Sequence, residues 1–190
     1  QGRIQGQGLT ISAAALNNQT DHAQLYSLAD FLVNVEDQIT NQDGALIHSD
    51  SDLGITITHG DINNVNATIE SVGKNHLNSN NINNSGTVLA QDGALEVTTQ
   101  QVNNQGTLAG HGVSLTAIEL NNSTANGKLY STDTLDATID GAINNQEGAL
   151  LHADKALTLS SKNSDIINTQ STIESATSAT LNSQNLTNTG

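Results

Sequence analysis

The sequence repeats a short pattern in which an apolar residue is followed two positions later by asparagine. The pattern begins at nine anchors: Leu16, Ile39, Ile62, Ile82, Val102, Leu120, Ile143, Ile166 and Leu186. The anchors recur about every 20 residues, at intervals that range from 18 to 23. Repeats of this length are typical of solenoids, in which each turn buries its apolar side chains only by stacking on its neighbours.

Short segments between the anchors alternate apolar and polar residues, as in Leu9-Thr10-Ile11 and Leu53 to Ile57. This period of two indicates half-buried strands, and no segment has the 3.6-residue period of an amphipathic helix. The absence of proline fits a continuous strand ladder, because proline cannot donate a backbone hydrogen bond. We therefore predict an all-β fold, a right-handed parallel β-helix (solenoid) of about nine turns of 18 to 23 residues. Disorder, the alternative for so polar a chain, does not explain apolar residues kept in register.

A longer period of 104 residues is superimposed on the turns. It aligns Leu25-Tyr26-Ser27 with Leu129-Tyr130-Ser131, and Gly44 to His48 with Gly148 to His152. The chain then reads as a single β-helix segment, 1–190, excised from a longer rod, with five-turn copies at 16–119 and 120–190 (partial) and 1–15 as the tail of a preceding copy. The Lys74-Asn75-His76 segment is the most polar, and we expect the weakest order there.

The asparagine of each anchor motif is the first candidate structural residue. These residues are Asn18, Asn41, Asn64, Asn84, Asn104, Asn122, Asn145, Asn168 and Asn188. Asparagine tolerates the left-handed backbone region at corners, and stacked amides form hydrogen-bonded ladders. We predict a buried asparagine ladder; the alternative is that asparagine only fills exposed turns.

The formal net charge of −14 restricts the partners of this chain. Its only cations are Arg3, Lys74, Lys128, Lys155 and Lys162, so nucleic acid and anionic membrane surfaces are poor partners. No apolar run approaches the roughly 20 residues that span a bilayer, so we expect no membrane insertion. Strand edges left open at the ends of the segment predict end-to-end self-association.

Carboxylates and histidines are candidates for catalysis or metal binding. Three pairs of carboxylates lie at corners: Asp50 and Asp52, Asp133 and Asp136, Glu36 and Asp37. Catalysis of polysaccharide cleavage needs such groups to converge, and we interpret these as solvated corner charges. The six histidines at 22, 48, 59, 76, 111 and 152 are interpreted as exposed polar residues, because His48 and His152 lie about five rungs, or roughly 24 Å, apart. No catalytic residue, metal site or cofactor is predicted.

Two tyrosines stand out in a chain with only 2% aromatic residues. Tyr26 and Tyr130 both occur in Leu-Tyr-Ser after the longest loops, at 19–24 and 123–128. Alternation places both side chains outward, where they are candidate contact residues. The alternative is that each packs across a neighbouring strand.

The repeat itself resembles a known family. Val102-Asn-Asn-Gln-Gly-Thr-Leu and Ile82-Asn-Asn-Ser-Gly-Thr-Val, each followed by alternating apolar residues, are similar to the repeats of filamentous haemagglutinins and of contact-dependent growth inhibition toxin rods in Gram-negative bacteria. The glycine at the fifth place is replaced in six turns, where we expect longer corners, at Thr20, Asp43, Asn66, Thr124, Glu147 and Gln170.

The resemblance implies export by two-partner secretion through an outer-membrane transporter, and a place at the bacterial cell surface or in the secreted fraction. Its members act as virulence adhesins or as stalks for toxins. The first hypothesis is therefore a structural rod segment of a surface exoprotein that mediates adhesion or contact with other cells. The alternatives are a receptor- or matrix-binding patch within an adhesin, which the enlarged turns and the tyrosines favour, and a polysaccharide-degrading β-helix enzyme.

Overall fold

A computed structural model describes residues 2–190, which form strands and turns without a helix. The strands are β1 Arg3–Gly6, β2 Leu9–Gln19, β3 Gln24–Ser27, β4 Phe31–Gln42, β5 Leu46–Ser49, β6 Leu53–Ile57, β7 Asp61–Val65, β8 Thr68–Ser71, β9 Asn75–Asn78, β10 Asn81–Asn84, β11 Thr87–Thr98, β12 Gln101–Asn104, β13 Thr107–Ala117, β14 Glu119–Ser123, β15 Lys128–Ser131, β16 Leu135–Ile139, β17 Ile143–Gln146, β18 Leu150–Ala153, β19 Ala156–Ser161, β20 Ile166–Thr169, β21 Thr172–Ser175, β22 Ser178–Asn182 and β23 Leu186–Thr189.

Each turn of the chain contributes three strand segments, one to each of three parallel sheets. The anchor sheet contains the nine anchor motifs, and each anchor pairs directly with the next, from Leu16 on Ile39 to Ile166 on Leu186. The second sheet runs from β1 to β21 and the third from the first half of β2 to β22. The prediction of an all-β parallel solenoid is confirmed, with about eight turns between the first and last anchors. Its handedness stays a prediction.

The core consists of columns of apolar side chains that stack along the axis. Ile39, Ile62 and Ile82 in the anchor sheet are fully buried, as are Leu108 and Leu151 in the second sheet. Burying one such side chain contributes about 1.5 to 3 kcal/mol, which a single turn cannot obtain alone. The apolar columns are open only at the outermost rungs of the described residues, where Ile4 and Leu186 are exposed.

The corner between the anchor sheet and the second sheet changes length in a regular way. Each corner runs from the residue after the anchor asparagine to the residue before the next strand of the second sheet. The corners of the first copy are 19–23, 42–45, 65–67, 85–86 and 105–106, and those of the second are 123–127, 146–149 and 169–171. The corners therefore shorten along each copy and lengthen abruptly at residue 123. This staircase accounts for much of the variation in turn length seen in the sequence.

The six turns that lack the fifth-place glycine do have the longer corners, as predicted. Their residues at that place are also the six non-glycine residues of 2–190 that have positive φ: Thr20, Asp43, Asn66, Thr124, Glu147 and Gln170. The two-residue corners keep glycine for another reason. A Cβ atom on Gly86 or Gly106 would lie only 2.1 Å from a backbone oxygen of the preceding turn.

Asn75 shows that the expectation of weak order at residues 74–76 is wrong, because Asn75 begins strand β9 and is fully buried. It occupies a core column between Leu53 and Leu95. Its Nδ2 atom donates to the carbonyl oxygen of Leu89 over 3.3 Å, but its Oδ1 atom has no hydrogen-bond partner.

Replacement of Asn75 by leucine is expected to stabilise the protein. The change removes an unpaired buried carbonyl oxygen, which costs about 1 to 3 kcal/mol, and it continues the column of leucines. Urea denaturation should show a higher midpoint for Asn75→Leu. The matched replacement Asn78→Leu, at an exposed position of the same strand, should leave it unchanged. A lower midpoint for Asn75→Leu would mean that the column has no room for the larger side chain.

Candidate functional site: an asparagine ladder and two tyrosine–histidine clusters

The nine anchor asparagines form one column inside the corner of the anchor sheet. The Nδ2 atom of each donates to the Oδ1 atom of the next, over 2.7 to 2.9 Å, in an unbroken series from Asn18 to Asn188. The first eight side chains are buried, and Asn188 in the last rung is exposed.

The same Nδ2 atoms also hold the corners in place. Each from Asn18 to Asn145 donates a further hydrogen bond, of 2.9 to 3.1 Å, to the carbonyl oxygen that opens the second-sheet strand of the next turn. Asn104, for example, bonds the carbonyl of Lys128. The expectation that these asparagines adopt left-handed backbone geometry is wrong, because they lie within strands. In the turns with longer corners, it is the residue two positions later that has positive φ.

A second asparagine ladder lies on the outer face of the same sheet. Its members are Asn63, Asn83, Asn103, Asn121 and Asn144, and each one after Asn63 donates to the member in the preceding turn over 2.8 to 3.2 Å. The outer side-chain amides therefore point opposite to the inner ones. This ladder is only half-buried, so water competes for its hydrogen bonds.

Tyr26 takes part in a cluster that spans three successive turns of the second sheet. Tyr26, His48 and Glu70 are register partners with outward side chains. The Tyr26 and His48 rings stack with centroids 4.4 Å apart. Nδ1 of His48 lies 2.7 Å from Glu70 Oε1, and Nε2 lies 2.7 Å from Asp50 Oδ1. The Tyr26 hydroxyl donates to Asp50 over 2.8 Å, which closes the cluster.

The cluster recurs 104 residues later in Tyr130, His152, Asp154 and Glu174. The rings of Tyr130 and His152 stack at 4.8 Å, and the His152 nitrogens lie 2.9 Å from Glu174 and 2.7 Å from Asp154. The hydrogen bond from Tyr130 to Asp154 is longer, at 3.2 Å. In the first cluster the guanidinium of Arg3 also lies 5.5 Å from the centre of the Tyr26 ring, whereas Thr107 occupies the corresponding place in the second.

The clusters shift the acidity of their members. A histidine that faces a carboxylate on each side uses both N–H groups only when it is protonated. The hydrogen bond to Asp154, with that to Glu174, raises the pKa of His152 against an opposing effect of burial. The histidine contacts, with the tyrosine hydroxyls, hold the pKa values of Asp50 and Asp154 below their usual range. The hydrogen bond to Asp50 raises the pKa of Tyr26, and burial followed by the hydrogen bond to Asp154 raises that of Tyr130.

The raised pKa of His152 predicts that the protein is most stable in mildly acidic solution. Folding favours the imidazolium form, so the stabilisation is complete below the unfolded pKa of about 6.5 and is lost as pH rises through the folded pKa. At the acid end, the stabilisation from Asp154 disappears as pH falls through its lowered pKa. The melting temperature of the wild type should decrease as the pH is raised from 6 to 8.5.

His152→Gln should flatten that profile, and His22→Gln, which removes a largely exposed histidine, should not. Equal slopes for the two variants would show that the cluster does not control the pH response.

The clusters correct the interpretation of two residue types. His48 is buried and His152 half-buried, so these two histidines are not the exposed polar residues that we expected. Asp50 is a hydrogen-bonded member of a cluster and not a solvated corner charge. Glu70 and Asp50 contact opposite nitrogens of the His48 ring. The three side chains therefore do not point toward one common position. No group of three or more histidine or acidic residues within 2–190 is arranged to hold a metal ion.

The other corner carboxylates do not converge. Asp52 accepts a hydrogen bond from the backbone N–H of Lys74, and Asp133 forms an ion pair with Lys155. Glu36, Asp37 and Asp136 are exposed. No helix within residues 2–190 is suited to cross a bilayer.

The outward position of both tyrosines is as predicted, since Leu25 and Leu129 before them are buried. The rings pack on a neighbouring strand, which is the alternative considered above.

The sequence held a signal for the partners of the tyrosines. Tyr26, His48 and Glu70 are evenly spaced along the chain, and the triplet that begins at Tyr130 is spaced in the same way. His48 and Glu70 are 22 residues apart, whereas the anchor asparagines of these turns are 23 residues apart. The two spacings differ because the corner shortens by one residue per turn.

Comparison with known proteins adds no family assignment: no family model matches the chain, and no curated protein or solved structure matches it either.

Proposed function

We propose that this chain is a structural rod segment of a bacterial cell-surface exoprotein that mediates adhesion or contact with other cells. The observation that supports this role is the unbroken register of the anchor column, with its continuous asparagine ladder. A column without interruption resists bending and gives the chain a length proportional to its number of turns, about 4.8 Å for each. In this proposal the segment is exported by an outer-membrane two-partner-secretion transporter and holds a distal module away from the cell.

The test is removal of one complete copy, residues 16–119, from the full exoprotein. Because Leu16 and Leu120 occupy equivalent positions, the deletion rejoins the ladder in register. Surface export should persist, and electron microscopy should show rods shorter by about 24 Å. Contact with target cells should persist apart from the reduced reach. Complete loss of contact with export intact would contradict a spacer role.

Replacement of the two tyrosines distinguishes a spacer from a receptor-binding patch. Both rings are stacked on histidines and hydrogen-bonded to aspartates, so they already have partners within the fold. The double replacement Tyr26→Ala and Tyr130→Ala should lower the melting temperature while target-cell contact is retained. Loss of cell binding by a variant that still folds would favour the alternative, a receptor- or matrix-binding patch.

A further inference from the structure

The staircase of corners produces a depression in the edge of the rod, which we call the notch. Its floor is formed by the two-residue corners at Gly86 and Gly106, and its walls by the longer corners at Asn66 and Asn126, with Lys128 at the start of the strand beyond. Its volume is about 420 Å³, within the range of ligand sites. The notch spans the rungs from Thr68 to Lys128, or about 14 Å, which is the length of a trisaccharide.

The lining of the notch is polar and free of carboxylates. The chain has 19 acidic residues, but none lines the notch. Thr68, Thr87 and Thr107 stand in one column, one above another, along it. Their hydroxyl groups make no hydrogen bond to another residue from 2 to 190, so they are free to bind a ligand.

Lys128 lies at the high end of the column, where it pairs in register with Thr107. Lys74 and Lys155 form ion pairs with Glu96 and Asp133. Lys128, in contrast, has no carboxylate within ion-pairing distance among the described residues. Its ammonium group is therefore available beside the threonine column, in a depression whose lining contains no acidic residue.

The notch begins again in the second copy. A depression of the same volume, about 420 Å³, is lined there by residues that lie 104 positions after their counterparts, including Gly148, Gln170, Thr172 and Gly190. The corresponding residues of the first notch are Gly44, Asn66, Thr68 and Gly86. The depression therefore recurs at the equivalent corner of the second copy.

We propose that the notch binds a short acidic oligosaccharide, with a carboxylate of the sugar on Lys128 and sugar hydroxyls on the threonine column. Hydroxyl and amide groups that are free of internal partners match the donors and acceptors of a glycan. One lysine provides for a single carboxylate, and the −14 charge of the chain repels polyanions such as nucleic acid. A peptide strand is a poorer occupant, because the strands that flank the notch are already paired on both edges.

The test is calorimetric titration of the protein with trigalacturonic acid and 3′-sialyllactose, and with maltotriose and lactose as their uncharged counterparts. At least one acidic sugar should bind, at least tenfold more tightly than its neutral counterpart. Lys128→Gln should weaken that binding at least tenfold, and Thr107→Tyr, which fills the notch from an outward position, should abolish it. Lys155→Gln removes an equal charge from an exposed, ion-paired side chain outside the notch and should bind like the wild type.

Absence of binding by both acidic sugars at about 10 mM would overturn the proposal. Equal loss in Lys128→Gln and Lys155→Gln would overturn it as well. Circular dichroism and melting curves of each variant should match the wild type, since the replaced side chains are outside the core. These outcomes are independent of rod length, so failure of the glycan site would leave the spacer role to be judged by its own test.

Discussion

Replacement of Asn104 by alanine is expected to lower the free energy of unfolding by about 4 kcal/mol. The change removes the hydrogen bonds from Asn104 to Asn122 and to the carbonyl of Lys128. It also leaves the Nδ2 atom of Asn84 and the Oδ1 atom of Asn122 buried without their amide partners. Each such group costs about 1 to 3 kcal/mol, and the melting temperature should fall by about 10 °C.

Asn103 provides the matched control, because it is the adjacent residue and belongs to the outer ladder. Its amide bonds Asn83 and Asn121 on a half-buried face where water replaces lost partners. Asn103→Ala should therefore cost less than about 1 kcal/mol. A similar cost for the two alanine variants in urea denaturation would show that the inner ladder is not a special source of stability.

Replacement of Gly106 by alanine is expected to destabilise the protein by about 3 kcal/mol. The new Cβ would lie 2.1 Å from the carbonyl oxygen of Gly86 and 2.7 Å from the carbonyl carbon of Ser85. Both are backbone atoms of the turn below, so relief requires the stacked corners to separate. The loss should appear as a lower melting temperature in circular dichroism.

Gly112→Ala, in strand β13, is the control for this prediction. A Cβ atom there meets nothing closer than the Cβ of Ala94 at 3.9 Å, and alanine in a strand is favoured over glycine by about 0.5 kcal/mol. We expect its melting temperature to be equal to or slightly above that of the wild type. If Gly106→Ala were equally well tolerated, the close stacking of the two corners would be wrong.

Much of the fold could be predicted from the sequence because each position of the repeated pattern corresponds to one column of stacked side chains. An apolar residue and an asparagine recur at every anchor, and in a parallel ladder equivalent positions must stack. That is why Leu16 to Leu186 and Asn18 to Asn188 fall into single columns. Asn75 escaped prediction because its neighbours in space, Leu53 and Leu95, lie a full turn away in sequence, while its neighbours in sequence are polar.

The clusters and the notch were harder to predict because both depend on corner lengths. His48 looks like an isolated polar residue until the corner before it is known to be one residue shorter than that before Tyr26. Only then do Tyr26, His48 and Glu70 share a column. The notch has no sequence motif at all, since it arises where two short corners are followed by a long one.

The most direct test of the stacked architecture is a distance between spin labels placed five turns apart. The chain has no cysteine, so Ser12→Cys with Thr116→Cys introduces one labelled pair, in an outward column of the third sheet. Electron–electron double resonance should give a narrow distribution centred at about 24 Å, the rise of five rungs. Asn34→Cys with Thr138→Cys should give the same distance, because that pair is also five rungs apart. A broad distribution centred at roughly 55 Å, as for a flexible chain of this length, would contradict the solenoid.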